Sequence, residues 1–159
     1  MIEIRLSSTE MKQACEVGLL RQFNAIQKGY QDSFGFGGTG WSEHLEGAMG
    51  EMAFCKAKAL FYEPRMAQFH DGLPDVGERT EVRTRSRHGY DLIVRPEDHE
   101  DRVYWLVTGK HGRYQVQGGI KGRDAKKEKW KASHGGRSMA YFVPRTELRC
   151  LSLLPGYRP

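Results

Sequence analysis

The sequence predicts an α/β or α+β fold in which helices pack on a central mixed β-sheet. Three observations carry that expectation. Residues 80–87 alternate Val82, Thr84 and Ser86 with Glu81, Arg83, Arg85 and Arg87, which is the period of a strand. Residues 90–95, 103–108 and 114–120 are dense in β-branched and aromatic side chains. Two longer stretches, 8–28 and 42–60, carry their apolar residues at helical spacing instead. A length of 159 residues suits one domain with a proper core, so residues 1–159 are expected to form a single domain.

In chain order, Ile2, Ile4 and Leu6 alternate with Glu3 and Arg5 and predict a short strand. Ser7, three residues before Glu10, has the form of a capping box, and Met11, Cys15, Leu19, Phe23 and Ile26 then recur along one helical stripe, read as core. Gly29 closes that helix. Residues 31–40 form a glycine-rich loop in which Gly35, Gly37 and Gly40 fit a dinucleotide-binding spacing, but a helix precedes them where a strand is required. The loop reads as a connection, or as a segment that closes over DNA with Phe34, Phe36 and Trp41 stacking on bases. Ser42 reads as the N-cap of the second helix, with Glu43 and Glu46 where the helix dipole favours acids. Gly47 and Gly50 in its interior cost stability, so a neighbour is expected to approach closely there. Residues 62–70 read as a strand interrupted by Pro64, 90–95 and 103–108 as a hairpin around the acidic turn 96–101, and 114–120 as a further strand. A basic, partly helical segment at 121–131, a short strand at 140–144 and a frayed tail at 155–159 complete the chain.

Lysine and arginine outnumber aspartate and glutamate by five, which favours a polyanionic partner. No apolar run is long enough to cross a bilayer, and residues 1–4 lack the features of a signal peptide, so a soluble, cytoplasmic protein is expected. Three cysteines without paired spacing argue against a disulfide framework or a zinc ribbon. The six histidines show no H-x-x-x-H or H-E-x-x-H spacing, and no G-x-S-x-G elbow exists; zinc enzymes and serine hydrolases therefore lack support.

The stretch that carries chemistry runs from Leu73-Pro74-Asp75 to Glu81-Val82-Arg83. A turn at Pro74-Asp75 leads into the strand, and Glu81 and Arg83 project from one of its faces near that turn. Glu43, Gly47 and Glu51 stack at four-residue spacing on the second helix, which lets Glu51 reach the same end of the sheet. Converging carboxylates beside a cation suit metal-dependent phosphodiester chemistry. Hard oxygen ligands hold Mg²⁺ or Mn²⁺, the ion generates hydroxide and neutralises phosphate, and the cation stabilises the charged transition state.

These residues resemble the motif of the PD-(D/E)XK nuclease superfamily, which includes restriction endonucleases, Holliday-junction resolvases and phage-type exonucleases. Arg83 stands where that pattern has lysine, and a guanidinium keeps its proton, so it cannot act as a general base. The resemblance covers residues 43–120. It implies a restriction-endonuclease-like core and a Mg²⁺- or Mn²⁺-dependent deoxyribonuclease with Asp75, Glu81 and Arg83 as catalytic residues. Glu51, Asp75, Glu81 and the backbone carbonyl of Val82 would be the metal ligands, and Arg83 would bind the scissile phosphate. DNA is the implied partner, alongside a homo-oligomer or an assembly with other DNA-processing proteins, and phage-type relatives point to a viral or mobile-element source. Phosphate contacts are expected from Arg85, Arg87, Gln117, Lys121, Arg123, Lys126 and Lys127. Two alternatives stay open: a noncatalytic nucleic-acid-binding protein on a lapsed nuclease fold, and an interaction protein whose basic face meets an acidic partner.

Overall fold

The computed structural model describes residues 2–29, 40–64 and 72–150. In chain order the elements are β1 (Ile2–Arg5), α1 (Ser8–Gln27), α2 (Trp41–Ala57), β2 (Thr80–Arg85), β3 (Leu92–Val94), β4 (Val103–Lys110), β5 (Arg113–Lys121), α3 (Gly122–Ala125), β6 (Lys131–Ala132) and β7 (Ala140–Val143). Two 3₁₀ turns lie at Glu128–Trp130 and Arg145–Glu147. The predicted α+β class is what the chain adopts. Phe34 and Phe36 with most of the glycine-rich loop, the expected strand beyond Pro64, and the tail 155–159 lie outside the described residues.

Four strands make a mixed sheet in the order β1-β5-β4-β2, with β2 parallel to β4 and the other pairings antiparallel. β3, β7 and β6 make a second, antiparallel sheet. The expected hairpin between residues 90–95 and 103–108 is therefore not formed, and β3 does not belong to the central sheet. β2 occupies the place beside β4, from Thr80 opposite Val103 to Arg85 opposite Thr108. The reason is burial. Leu92 and Val94 are fully buried and pack with Tyr104, Leu106, Tyr141 and Val143, so β3 gains more by covering a face of β4 than by extending its edge.

Alternation along β4 then divides the interior in two. Trp105 and Val107 join Val82, Tyr114 and Val116 beneath the helices, whereas Tyr104 and Leu106 join Ile120 beneath the second sheet.

The helices depart from the expected pattern in an instructive way. Ser7 and Glu10 do form the capping box at the start of α1. The buried side of α1, however, is Ala14, Val17, Gly18 and Arg21, while Leu19, Leu20, Phe23 and Ile26 are exposed, the last two by 50 % and 54 %. Small residues win because α1 crosses α2 closely: a Cβ on Gly18 would stand 2.7 Å from the His44 carbonyl oxygen. Gly40 rather than Ser42 is the N-cap of α2, and the Ser42 hydroxyl bonds Glu43 inside the first turn. Residues 48–55 of α2 are buried on every side, since this helix lies between α1 and the sheet. Among the described residues no helix is long and apolar enough to cross a membrane.

Candidate active site

Among the described residues β2 is the end strand of its sheet, and one of its backbone edges faces no other strand. Asp75 uses that edge: its Oδ2 accepts the Val82 N–H at 2.7 Å. The N–H and C=O of one strand residue project to the same side, so the Val82 carbonyl faces the same edge. Reciprocal backbone bonds between Val76 and Thr80, at 3.1 and 3.3 Å, pin the Pro74-Asp75 turn against the start of β2.

α2 delivers Glu51 to this edge because Gly50 lets it settle onto β2. A Cβ at Gly50 would meet Thr84 Oγ1 at 1.9 Å. Glu51 is only 5 % exposed, and Arg21 of α1 grips both its oxygens at 2.7 and 2.8 Å. Glu81 leaves the opposite face of β2. Its Oε1 accepts from Arg102 at 2.5 Å and its Oε2 from Arg83 at 3.2 Å. Arg83 in turn donates to Asp98 at 3.0 Å and lies over the Tyr104 ring.

All five residues singled out for catalysis or metal binding, Glu51, Asp75, Glu81, Val82 and Arg83, line a single cavity of about 470 Å³. Among the described residues its walls carry six carboxylates and three guanidinium groups, an excess of three negative charges when all are ionised. That excess sits inside a chain whose net charge is +5. The strain is visible in the carboxyl groups. Burial first, and then the charge of Asp75, push Glu51 up to about 7 against the pull of Arg21. Glu81 is pushed up to about 7 by the same two causes, against Arg83 and Arg102. Burial disfavours the Arg83 cation, yet Asp98, Asp75 and Glu81 together outweigh it and raise its pKa. Burial and the neighbouring Arg21 lower the pKa of His44. Carboxylates that repel one another across a cleft are what a cation site presents before it is filled.

The residues fit a divalent cation in chemistry and charge. They supply hard oxygen donors from three chain segments with a strand carbonyl beside them, and each carboxylate oxygen keeps a second lone pair beyond its guanidinium bond. They do not yet fit in spacing. Among the described residues no three His, Cys, Asp or Glu side chains are placed to hold one ion, and Glu51 and Glu81 are instead paired with Arg21, Arg83 and Arg102.

The seven residues expected to contact phosphate do not line the cavity. Arg85 donates to the Asp91 carbonyl and, with Arg87, lies over Tyr90. Gln117 bonds Thr108 and Gln115, and Lys126 donates to the carbonyls of Pro96 and Asp98, so both of these hold the fold together. Arg123 pairs with Asp101, Lys127 lies over Trp130, and Lys121 closes β5 partly exposed. The acidic turn at 96–101 sends Asp98 to Arg83 and to the Arg95 N–H. Sequence reasoning missed Arg21, Arg102 and Asp98. One signal was available: Arg21 completes the i, i+3, i+4, i+7 series begun by Ala14, Val17 and Gly18. Comparison with protein-family models, curated proteins and solved structures finds no significant match to this chain.

Proposed function

We propose that the chain is a divalent-metal-dependent deoxyribonuclease whose site is the cavity at the open edge of β2. The observation that carries this reading is the meeting of Glu51, Asp75, Glu81 and the Val82 carbonyl, drawn from α2, a turn and β2, in one cavity with surplus negative charge. A polyanion is repelled by such a surface unless a cation enters first. Asp75, Glu81 and the Val82 carbonyl would hold that ion, with Glu51 beside them. Bound Mg²⁺ or Mn²⁺ supplies an activated water and a counter-charge for the phosphodiester.

The chain's own groups do the rest. Asp75 stays oriented through the Val82 N–H, and Arg21 draws Glu51 toward its ionised form in a site where burial favours the neutral one. Arg83, tied to Asp98 and Tyr104, orients Glu81 and adds positive charge beside the reacting phosphate. At Gly47 a Cβ would meet nothing within 4 Å, which leaves the α2 side of the cavity open for substrate. Arg87, Lys121 and Lys127 lie away from the cavity and steer DNA toward it. This reading places the protein with DNA inside a cell, as part of a phage or another mobile element.

Incubation of the purified protein with linear and supercoiled DNA tests it. Cutting that requires Mg²⁺ or Mn²⁺ and is lost in Asp75→Asn and Glu81→Gln, with melting curves retained, is expected; cutting that survives both substitutions refutes the site. The guanidinium clamps on Glu51 and Glu81 favour a second reading, a noncatalytic DNA-binding protein. Salt-sensitive binding that ignores divalent ions, with no cleavage of any DNA form, would establish that one.

A further inference from the structure

Of the three aromatic residues expected to stack on bases, the structure describes Trp41, and it stands beside the cavity. Trp41, His44, Gly47 and Glu51 follow one another at three- and four-residue spacing along one side of α2. The last three line the cavity, so Trp41 lies one helical turn beyond its edge. Its indole meets Phe23 of α1 edge-on, with ring centroids 5.4 Å apart and planes at 86°. Trp41 is half-buried and Phe23 is exposed, as are Leu19, Leu20 and Ile26 on the same helix. Large apolar side chains gathered at the surface mark an interaction site. The two rings make a corner with walls at right angles, into which a third flat group can stack.

The cavity itself limits what can reach it. Its volume of about 470 Å³ is that of a small-molecule pocket, and α2, the segment before Asp75 and the acidic turn wall it in. Glu51 and Glu81 within it are 5 % and 7 % exposed. A double helix keeps its strands stacked and paired, so a phosphate reaches that depth only when its strand is lifted away; a strand already unpaired bears no such cost. On the α2 side, the gap at Gly47 leads past His44 to the aromatic corner. We propose that the cavity takes an unpaired DNA strand, with one nucleotide inside and a neighbouring base stacked in the Phe23–Trp41 corner. The inference rests on the nuclease reading of the same cavity, and it makes the substrate a single strand or a frayed end rather than intact duplex. Every base presents a flat face, so the corner holds the strand without selecting a sequence. It needs no metal ion, since it lies outside the cavity's carboxylates.

Equilibrium binding of the full chain to labelled oligonucleotides in EDTA, one single-stranded and one a blunt duplex of equal length, tests this. The parent should bind the single strand about tenfold more tightly than the duplex. Trp105 and Trp130 are buried, so quenching of the intrinsic fluorescence by the single strand reports on Trp41. Phe23→Ala and Trp41→Ala should each weaken single-strand binding about tenfold and leave duplex binding unchanged. Trp41→Phe should keep most of the affinity and lose the quenching, which covers the case of an alanine variant that fails to fold. Duplex bound as tightly as the single strand, single-strand affinity indifferent to both alanine substitutions, or a bound single strand that leaves the parent's fluorescence unchanged overturns the proposal. A parent that binds neither oligonucleotide overturns it too, as does a protein dimer that Phe23→Ala dissociates, which gives the corner to a second copy of the chain. A parent that prefers the single strand but cuts no DNA with Mg²⁺ or Mn²⁺ refutes the nuclease reading and leaves the strand site standing.

Discussion

The cavity at the edge of β2 and the basic segment from Lys121 to Lys131 are both dense in charge, and they are built on opposite principles. In the segment the charges are neighbours in sequence, and from Lys127 onward they stay local. Lys127 and Lys129 lie over Trp130, and Lys131 pairs with Glu128. In the cavity the charges come from α1, α2, the Asp75 turn, β2, the acidic turn and the residue ahead of β4, and Arg21, Glu51 and Glu81 among them are withdrawn from water. The contrast shows where chemistry can be done. A run of lysines on the surface is screened by solvent and salt, whereas carboxylates and guanidinium groups held together in a cleft act on one another and on a ligand at full strength.

The largest effect expected from breaking the comparison is catalytic. Asp75→Ala or Glu81→Ala should lower metal-dependent DNA cleavage by about a thousandfold or more, the worth of several kcal/mol of charge stabilisation. Lys127→Ala should leave the rate at saturating DNA unchanged, as a single-turnover assay would show. Next comes stability. Arg21→Met leaves the Glu51 charge buried without its partner and should destabilise the fold by about 3–5 kcal/mol in urea melts, whereas the Arg21→Met/Glu51→Met double substitution should recover most of that loss.

A smaller effect is the dependence on pH. Glu51 and Glu81 hold their protons more tightly in the folded chain than in the unfolded one. Their contribution to stability is therefore full below about 4.5 and is lost as the pH rises through about 7. Glu10 works in the opposite direction, since its bond to Lys56 lowers its pKa and its contribution is lost on acidification. Comparison of the parent with Asp75→Asn isolates the cavity: removing the shared repelling charge should flatten the decline between pH 5 and pH 8. Mg²⁺ added at pH 8 should restore stability to the parent more than to the variant. The smallest effect belongs to the segment. Lys127→Ala and Lys129→Ala should each reduce the salt slope of DNA binding by about one and weaken all sequences alike.

Much of the fold was legible because strands announce themselves locally. Alternation marked β1 and β2, a density of β-branched and aromatic residues marked β4 and β5, and the Ser7 and Glu10 pair marked the start of α1. The spacing of Asp75, Glu81 and Arg83, with Glu51 on the facing side of a helix, was enough to gather the residues that do line one cavity. What was not legible depends on partners. Periodicity reports which residues are apolar, not which neighbour will cover them, so the large side chains of α1 looked like core although α2 packs on Ala14, Val17 and Gly18. β3 reads as the partner of β4 until β2 is known to lie parallel beside it. Arg102 reaches Glu81 only through that same register, which sets Thr80 against Val103. No local pattern could have announced it.

The most direct test of the central claim is an anomalous-scattering map from crystals of the protein grown with Mn²⁺. The expected result is one strong peak at roughly 2.1 Å from oxygens of both Asp75 and Glu81, the distance of a hard-cation shell. A fully occupied peak elsewhere, or no peak between those carboxylates at saturating Mn²⁺, would contradict it.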